Sequence, residues 1–199
     1  VTDGVGGITC LDAMQALDDD RETKVILLVS KPPQPGVLKK IYGLIRKIKK
    51  PVVALFLGED GTPATLEQAA LLAVAHAKGE DPVKALEHLT RRDEILAAEA
   101  RQIVAKRKRP KGRHLRGLFS GGTFCAEAQI LFSPFLSELY SNAPAAKARP
   151  LKDSMKSRRH TMIDLGEDEF TVGRPHPMID YTLRNRRILQ EAADPETAV

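Results

Sequence analysis

Apolar residues fall along this chain in short continuous runs separated by stretches of helical period. Val25-Ile26-Leu27-Leu28-Val29 and Pro51-Val52-Val53-Ala54-Leu55-Phe56-Leu57 are unbroken apolar runs. They predict strands near 24–30 and 51–57, buried on both faces as in a parallel sheet. Between them, Val37, Leu38, Ile41, Ile45 and Ile48 line one helical face opposite Lys39, Lys40, Arg46 and Lys47. Ahead of the first run, Ile8, Leu11, Met14 and Leu17 recur every third residue, predicting a helix that Asp18-Asp19-Asp20 stops. Beyond the second, Thr65 can cap a helix with Gln68 as its capping-box partner. The Ala- and Leu-rich stretch from Leu66 to Lys78 predicts a largely buried helix, and Asp81 to Arg107 continues helical from Pro82.

After a basic stretch the pattern restarts. A strand is expected at 115–119, then a turn at Ser120-Gly121-Gly122 and a helix from Thr123 to about Tyr140. A loop over 143–159 follows, then a strand at 160–165 and an irregular loop from Gly166 to Pro177. The last helix, Ile179 to Ala193, is expected to turn Leu183, Ile188 and Leu189 inward. Strand, helix and strand with buried strands predict an α/β fold with parallel strands and right-handed crossovers.

Composition narrows the class. The chain has 199 residues, 42% hydrophobic and 29% charged, as soluble globular proteins do. No apolar run approaches the roughly 20 residues of a membrane span. The chain opens Val1-Thr2-Asp3, without an initiator Met or a basic-then-apolar leader, so a cytoplasmic protein starting at an internal point is expected. Cys10 and Cys125 sit in apolar surroundings without metal-type spacing, which predicts buried free thiols, no disulfide and no metal site. The net charge is +5, concentrated in Lys106-Arg107-Lys108-Arg109-Pro110-Lys111 and in a cluster from Lys147 to Arg159. No aromatic residue is interleaved between Lys106 and Arg116, so a solvated linker is favoured over nucleic-acid binding.

Two internal echoes stand out. Gly6-Gly7 with Cys10, Asp12 and Ala13 recurs as Gly121-Gly122 with Cys125, Glu127 and Ala128. Asp20-Arg21-Glu22-Thr23-Lys24-Val25 recurs as Asp194-Pro195-Glu196-Thr197-Ala198-Val199, so Val199 is expected to begin a strand. Gly-Gly directly before a helix can bind phosphate, because backbone N–H groups approach an anion and the helix adds about half a positive charge. Gly6, Gly7 and Thr9, and Ser120, Gly121, Gly122 and Thr123, are therefore candidate phosphate-binding residues; the alternative is a tight turn. Arg174 can grip a carboxylate or phosphate through two parallel hydrogen bonds, and His176 can move a proton near neutral pH. Pro175 and Pro177 stiffen the backbone around both. Glu167, Asp168 and Glu169 can meet a magnesium-bound phosphate; the alternative is a rigid solvent loop with ordinary charges. His76 reads as structural, and His88, His114 and His160 have no partner pattern.

Arg116 to Cys125 and Ile163 to Asp180 resemble signature strings of the FdrA family. Val5 to Thr9 through Pro51 to Ala54 is similar to the ligase domain of succinyl-CoA synthetase alpha subunits. The resemblance implies a larger parent with an N-terminal CoA-binding domain and two flavodoxin-like, doubly wound domains. This chain would hold the later part of the first in 1–105, a basic linker at 106–114, and the opening part of the second in 115–199. Each half-domain would leave an open sheet edge, and two separate halves are expected rather than one composite sheet. Resemblance also implies CoA and ATP with magnesium for the parent, a small anionic substrate (acyl phosphate, carboxylate or carbamoyl phosphate) and further subunits. In the synthetases two such Gly-Gly helix starts face a phosphohistidine. Here Gly58 to Glu67 holds no histidine, which argues against a phosphohistidine relay. The readings left open are an acyl-CoA-synthetase-like protein, a carbamoyltransferase subunit acting on oxamate in allantoin breakdown, and a non-catalytic interaction module.

Overall fold

In the computed structural model, which describes residues 5–59, 61, 63–106, 112–145 and 147–198, the chain forms two units, Val1–Val104 and Ala105–Val199. The opening tripeptide, most of the basic run, Asp60, Thr62 and Val199 lie outside the described residues. The first unit runs α1 (Ile8–Asp19), β1 (Ile26–Ser30), α2 (Pro35–Ile45), β2 (Val52–Phe56), α3 (Leu66–Lys78) and α4 (Pro82–Lys106). The second runs β3 (Arg116–Phe119), α5 (Gly122–Phe132), β4 (Leu139–Ser141), β5 (Arg149–Pro150), β6 (His160–Asp164), α6 (Asp168–Thr171) and α7 (Thr182–Ala193). The four expected strands are present, and every pairing among the described strands is parallel. The sheets are β1-β2 and β3-β6-β4-β5. Among the described residues, no helix is long and apolar enough to cross a membrane.

In the first unit α1 and α2 share one sheet face, where Met14, Val37, Ile41 and Phe56 form the core. Helix α3 lies against β1 and β2, with Ala69, Leu72, Ala73 and Ala75 buried. Thr65 caps it as expected, accepting from the Gln68 N–H at 3.2 Å, while the Gln68 side chain accepts from the Ala64 N–H. Strand β1 is not buried on both faces, since Leu27 and Val29 are 45% and 38% exposed. Their register partners Val53 and Leu55 are covered, so this face is shielded over β2 and left open over β1. Helix α1 forms where expected, with Met14 buried but Ile8 61% and Leu17 41% exposed. A step of three falls about 60° short of a full turn, so four such residues sweep around half the helix.

In the second unit β6 is central. Met162 joins Cys125 and Leu139 beneath α5, whereas Ile163 and Leu165 join Phe170 and Leu183 on the other face. Helix α5 ends at Phe132, not near Tyr140, because Ser133 precedes Pro134, which supplies no N–H to continue it. The freed residues form β4, and the expected 143–159 loop contains β5. Buried Gln129 pins the chain after β4 by donating to the Ala143 carbonyl at 3.1 Å and accepting from the Ala145 N–H at 2.9 Å.

Helix α7 overturns the expected inward face. Ile188 and Leu189 are 48% and 70% exposed; Leu183 packs inward alongside the buried Arg187 and Glu191, four residues apart. Glu191 meets Arg187 at 2.6 Å and Arg116 of β3 at 3.2 Å. Arg187 also donates to the Met155 carbonyl at 2.7 Å, and Ser157 donates to Glu191 at 2.6 Å. Facing opposite charges offset part of the desolvation, although Arg116 Nε and Nη1 and Arg187 Nε have no hydrogen-bond partner among the described residues. The inward row is Leu183, Arg187 and Glu191, and it bypasses Ile188 and Leu189.

The second echo is structural. Asp20 and Asp194 are extended C-caps of α1 and α7, and each accepts from the N–H two residues on. The first copy leads into β1; the second brings Thr197 into a parallel bridge with His114. Gly112 is required there, because a side chain would strike the Thr197 backbone. Glu191→Ala removes the buried carboxylate that Arg187 and Arg116 share, leaving Arg116 only Asp194, and is expected to cost about 3–5 kcal/mol, measured by denaturant unfolding of the chain; a loss under about 1 kcal/mol would reduce the network to a surface-type ion pair.

Candidate functional site

The carboxyl ends of β3 and β6 lie side by side, with Phe119 opposite Asp164 and the Leu165 N–H donating to the Phe119 carbonyl at 2.7 Å. This register sets Ser120-Gly121-Gly122 next to Leu165-Gly166. The Gly166 region shows how closely they meet. A methyl group placed there would lie 3.0 Å from Asp164 Oδ1, 3.3 Å from His176 Nε2 and 3.4 Å from the Ser120 carbonyl oxygen. Ser120 and His176, both singled out from sequence, thus border one small space.

The two Gly-Gly turns differ in kind. Gly6 and Gly7 have φ of 64° and 73°, a left-handed backbone that disfavours any side chain. That geometry explains those glycines without a ligand. Gly121 caps α5 in an extended conformation, φ −170° and ψ 140°, open to any residue. A side chain there would meet nothing within 4 Å. Neither the backbone angles nor packing requires glycine at 121, although glycine serves well as an N-cap. The first intrahelical bond runs from the Cys125 N–H to the Gly121 carbonyl at 3.4 Å. The N–H groups of Gly122, Thr123 and Phe124 precede it, as at any helix start. Thr9 and Thr123 are both exposed at the second helical position, and the N-caps Gly7 and Gly121 fall one residue out of step with the sequence echo.

The loop after β6 contains α6 and holds the other candidates. His176 is half-buried, Pro177 is buried and Arg174 is exposed. His176 Nδ1 accepts from the Met178 N–H at 3.2 Å, and its carbonyl accepts from the Ile179 and Asp180 N–H groups. The neutral ring therefore carries its proton on Nε2, the atom turned toward Gly166. Arg174 is anchored through its backbone, its N–H donating to Thr171 at 3.4 Å. Glu169 is exposed but tied down, accepting from Asn142 at 2.9 Å and Ser154 at 2.6 Å. Among the described residues, no group of three His, Cys, Asp or Glu side chains is arranged to hold a metal.

Sequence reasoning passed over Asp164 and Asn142. Asp164 is 2% exposed and its Oδ1 accepts from the Gly166 N–H at 2.8 Å. Asn142 clasps it from β4, donating to the Asp164 carbonyl and accepting from its N–H, each at 2.9 Å. The only sequence cue was an acid closing an apolar strand. The pairing with Asn142, 22 residues away, follows from the unforeseen β4. Gly166→Ala places its methyl among Asp164, His176 and Ser120. It is expected to shift the amide resonances of residues 120–123 and of His176 while leaving those of β1 and β2 unmoved. Unchanged resonances at 120–123 would separate the two loops.

Comparison with known proteins agrees with this architecture. Residues 118–199 match the CoA-ligase family model. The full chain is 38% identical to YahF of Escherichia coli (strain K12), a protein described as uncharacterized, and spans 39% of its length. From Leu118 within β3 onward, the second unit is similar to the CoA-ligase family.

Proposed function

We propose that the second unit binds the phosphate or other anionic group of a small substrate at the start of α5. It does so as part of an acyl-CoA synthetase (succinyl-CoA-ligase)-like protein of the FdrA kind. The observation carrying this reading is Gly121, a glycine that neither its backbone angles nor its neighbours require, set before open space at a helix start. An anion there gains backbone hydrogen bonds and the helix-end charge. Ser120 and Thr123 border it, His176 Nε2 supplies a proton from the side, and Arg174 is the exposed cation of the loop that carries His176.

CoA-ligase relatives use CoA and ATP in general. The space before Gly121 fits a phosphoryl group, so Ser120 to Thr123 would hold the transferred phosphate, the electrophile that activates a carboxylate for thioester formation. The role of this chain's residues is to orient that group and to hold the proton at His176 Nε2. The loop from Gly58 carries no histidine, so the reading does not route phosphate through one there. Gly6, Gly7 and Thr9 are kept as a second, weaker anion position, because their backbone already accounts for both glycines.

A carbamoyltransferase subunit is the second reading, because carbamoyl phosphate would present the same phosphate group to the start of α5. Titration of the chain with inorganic phosphate, acetyl phosphate and carbamoyl phosphate, followed by amide shifts, tests both. Movement at residues 120–124 with all three supports the anion site, and tighter binding of carbamoyl phosphate supports carbamoyl transfer. No movement there sinks the proposal and leaves a non-catalytic module. Arg174→Ala is expected to weaken the bound anion by about tenfold without unfolding, the scale of one charge-assisted contact; wild-type affinity would return the loop to scaffolding.

A further inference from the structure

The amino end of the second sheet holds a cluster that no functional reading uses. His114, immediately before β3, is 7% exposed, and His160 opens β6. Their rings meet edge to face, centroids 5.3 Å apart and planes at 90°. The Leu115 N–H donates to His160 Nδ1 at 3.1 Å. That bond exists only while His160 is neutral, because a protonated imidazole has no acceptor.

The same few residues hold the chain after α7. The Arg113 and His114 N–H groups donate to the Glu196 carbonyl at 2.8 and 2.9 Å, and the Ala198 N–H donates to the His114 carbonyl at 2.9 Å. His114 Nε2 lies 3.5 Å from Glu196 Oε2, and Arg116 pairs with Asp194 at 3.1 Å. His114 Nδ1 and Thr197 Oγ1 are buried without a hydrogen-bond partner among the described residues. The contact is tight enough that no residue larger than glycine fits at 112.

We propose that the His114–His160 pair is a pH-operated latch that holds residues 194–198 against the start of β3. At neutral pH the uncharged His160 accepts the Leu115 N–H and fixes the backbone that Glu196 and Ala198 grip. Protonation removes that acceptor and sets a cation beside His114 and Arg116. The groups facing the pair are Arg113 and Arg116 on the β3 side, Glu191 from α7, Asp194 and Glu196 from the following segment, and Glu138 ahead of β4. Arg116 is already engaged by Glu191 and Asp194. Glu138 is the carboxylate that favours a charged His160, and it is shared with Arg149 and Arg159. Burial, then His114 and Arg116, hold His160 below the ordinary imidazole range. Its contribution is therefore complete above the unfolded-chain value of about 6.5 and drains away as pH falls through that value toward the lower folded one. Asp194 is held low as well, chiefly by the Glu196 N–H and then by Arg116, so its own loss comes at more acid pH. Because β3 is four residues long and ends at Phe119, next to Ser120, loosening its start loosens the strand that presents the candidate anion site.

Amide hydrogen exchange of the full chain tests the latch. Corrected for intrinsic rates, Leu115 and Ala198 are expected to exchange at least about tenfold faster near pH 5 than near pH 7.5, while Leu55 in β2 changes little. The midpoint should coincide with the His160 ring titration observed by NMR in the same sample. His160→Asn keeps a side-chain acceptor for Leu115 without a titrating ring, and is expected to flatten the pH dependence. If that variant fails to fold, the wild-type coincidence of midpoints decides. Exchange at Leu115 and Ala198 that ignores pH, or that follows a carboxylate midpoint instead, would overturn the proposal.

Discussion

The parallel register of β3 against β6 is the constraint on which the second unit depends. It sets Phe119 beside Asp164, and so delivers the Gly-Gly turn and the loop of His176 to one end of the sheet. The same pairing brings Arg116 and His160 to the opposite end, where the buried ion network and the histidine pair lie. Ligand sites in open α/β sheets occupy the carboxyl ends of the strands, and here that end carries the backbone donors while the amino end carries the fastening. A single β-branched and apolar strand, His160–Asp164, joins the two.

The fastening is electrostatic where a hydrophobic seam was expected. Arg187 and Glu191 place charge at positions where helical periodicity calls for apolar side chains, and burial makes each dependent on the other. Removing one partner leaves an uncompensated charge, whereas the intact network contributes geometry more than net stability. That geometry matters, because α7 is held to β3 through Arg116 and to the 155–157 segment through Arg187.

Much of the fold was legible because continuous apolar runs and a Thr65–Gln68 capping pair report local physics. Proline at 134 is equally visible in the sequence and marks where α5 stops short of the expected Tyr140. Strand β4 was illegible, since three residues carry no periodicity and gain their burial from β6. The inward charges of α7 and the His114–His160 pair escaped for one reason: their partners lie far off in sequence, and only the folded sheet joins them. At the candidate site, Ser120 and His176 came from motif chemistry and do border one space. Asp164 and Asn142 did not, because an acid at a strand end gains meaning only from the side chain that clasps it. The two Gly-Gly turns look alike as letters, but positive φ at Gly6 and Gly7 and an extended Gly121 separate them.

The central claim is that Gly121 is a glycine for the sake of a ligand. Gly121→Ser isolates it, because serine is at least as good an N-cap as glycine, its Cβ would meet nothing within 4 Å, and its hydroxyl would take up the helix-start N–H groups that an anion needs. Calorimetric titration of the variant with phosphate or carbamoyl phosphate, beside its thermal midpoint, is the direct measurement. The account predicts an unchanged midpoint with anion binding lost. Retained binding, or a midpoint that falls together with it, would contradict the account and make Gly121 a residue of the fold.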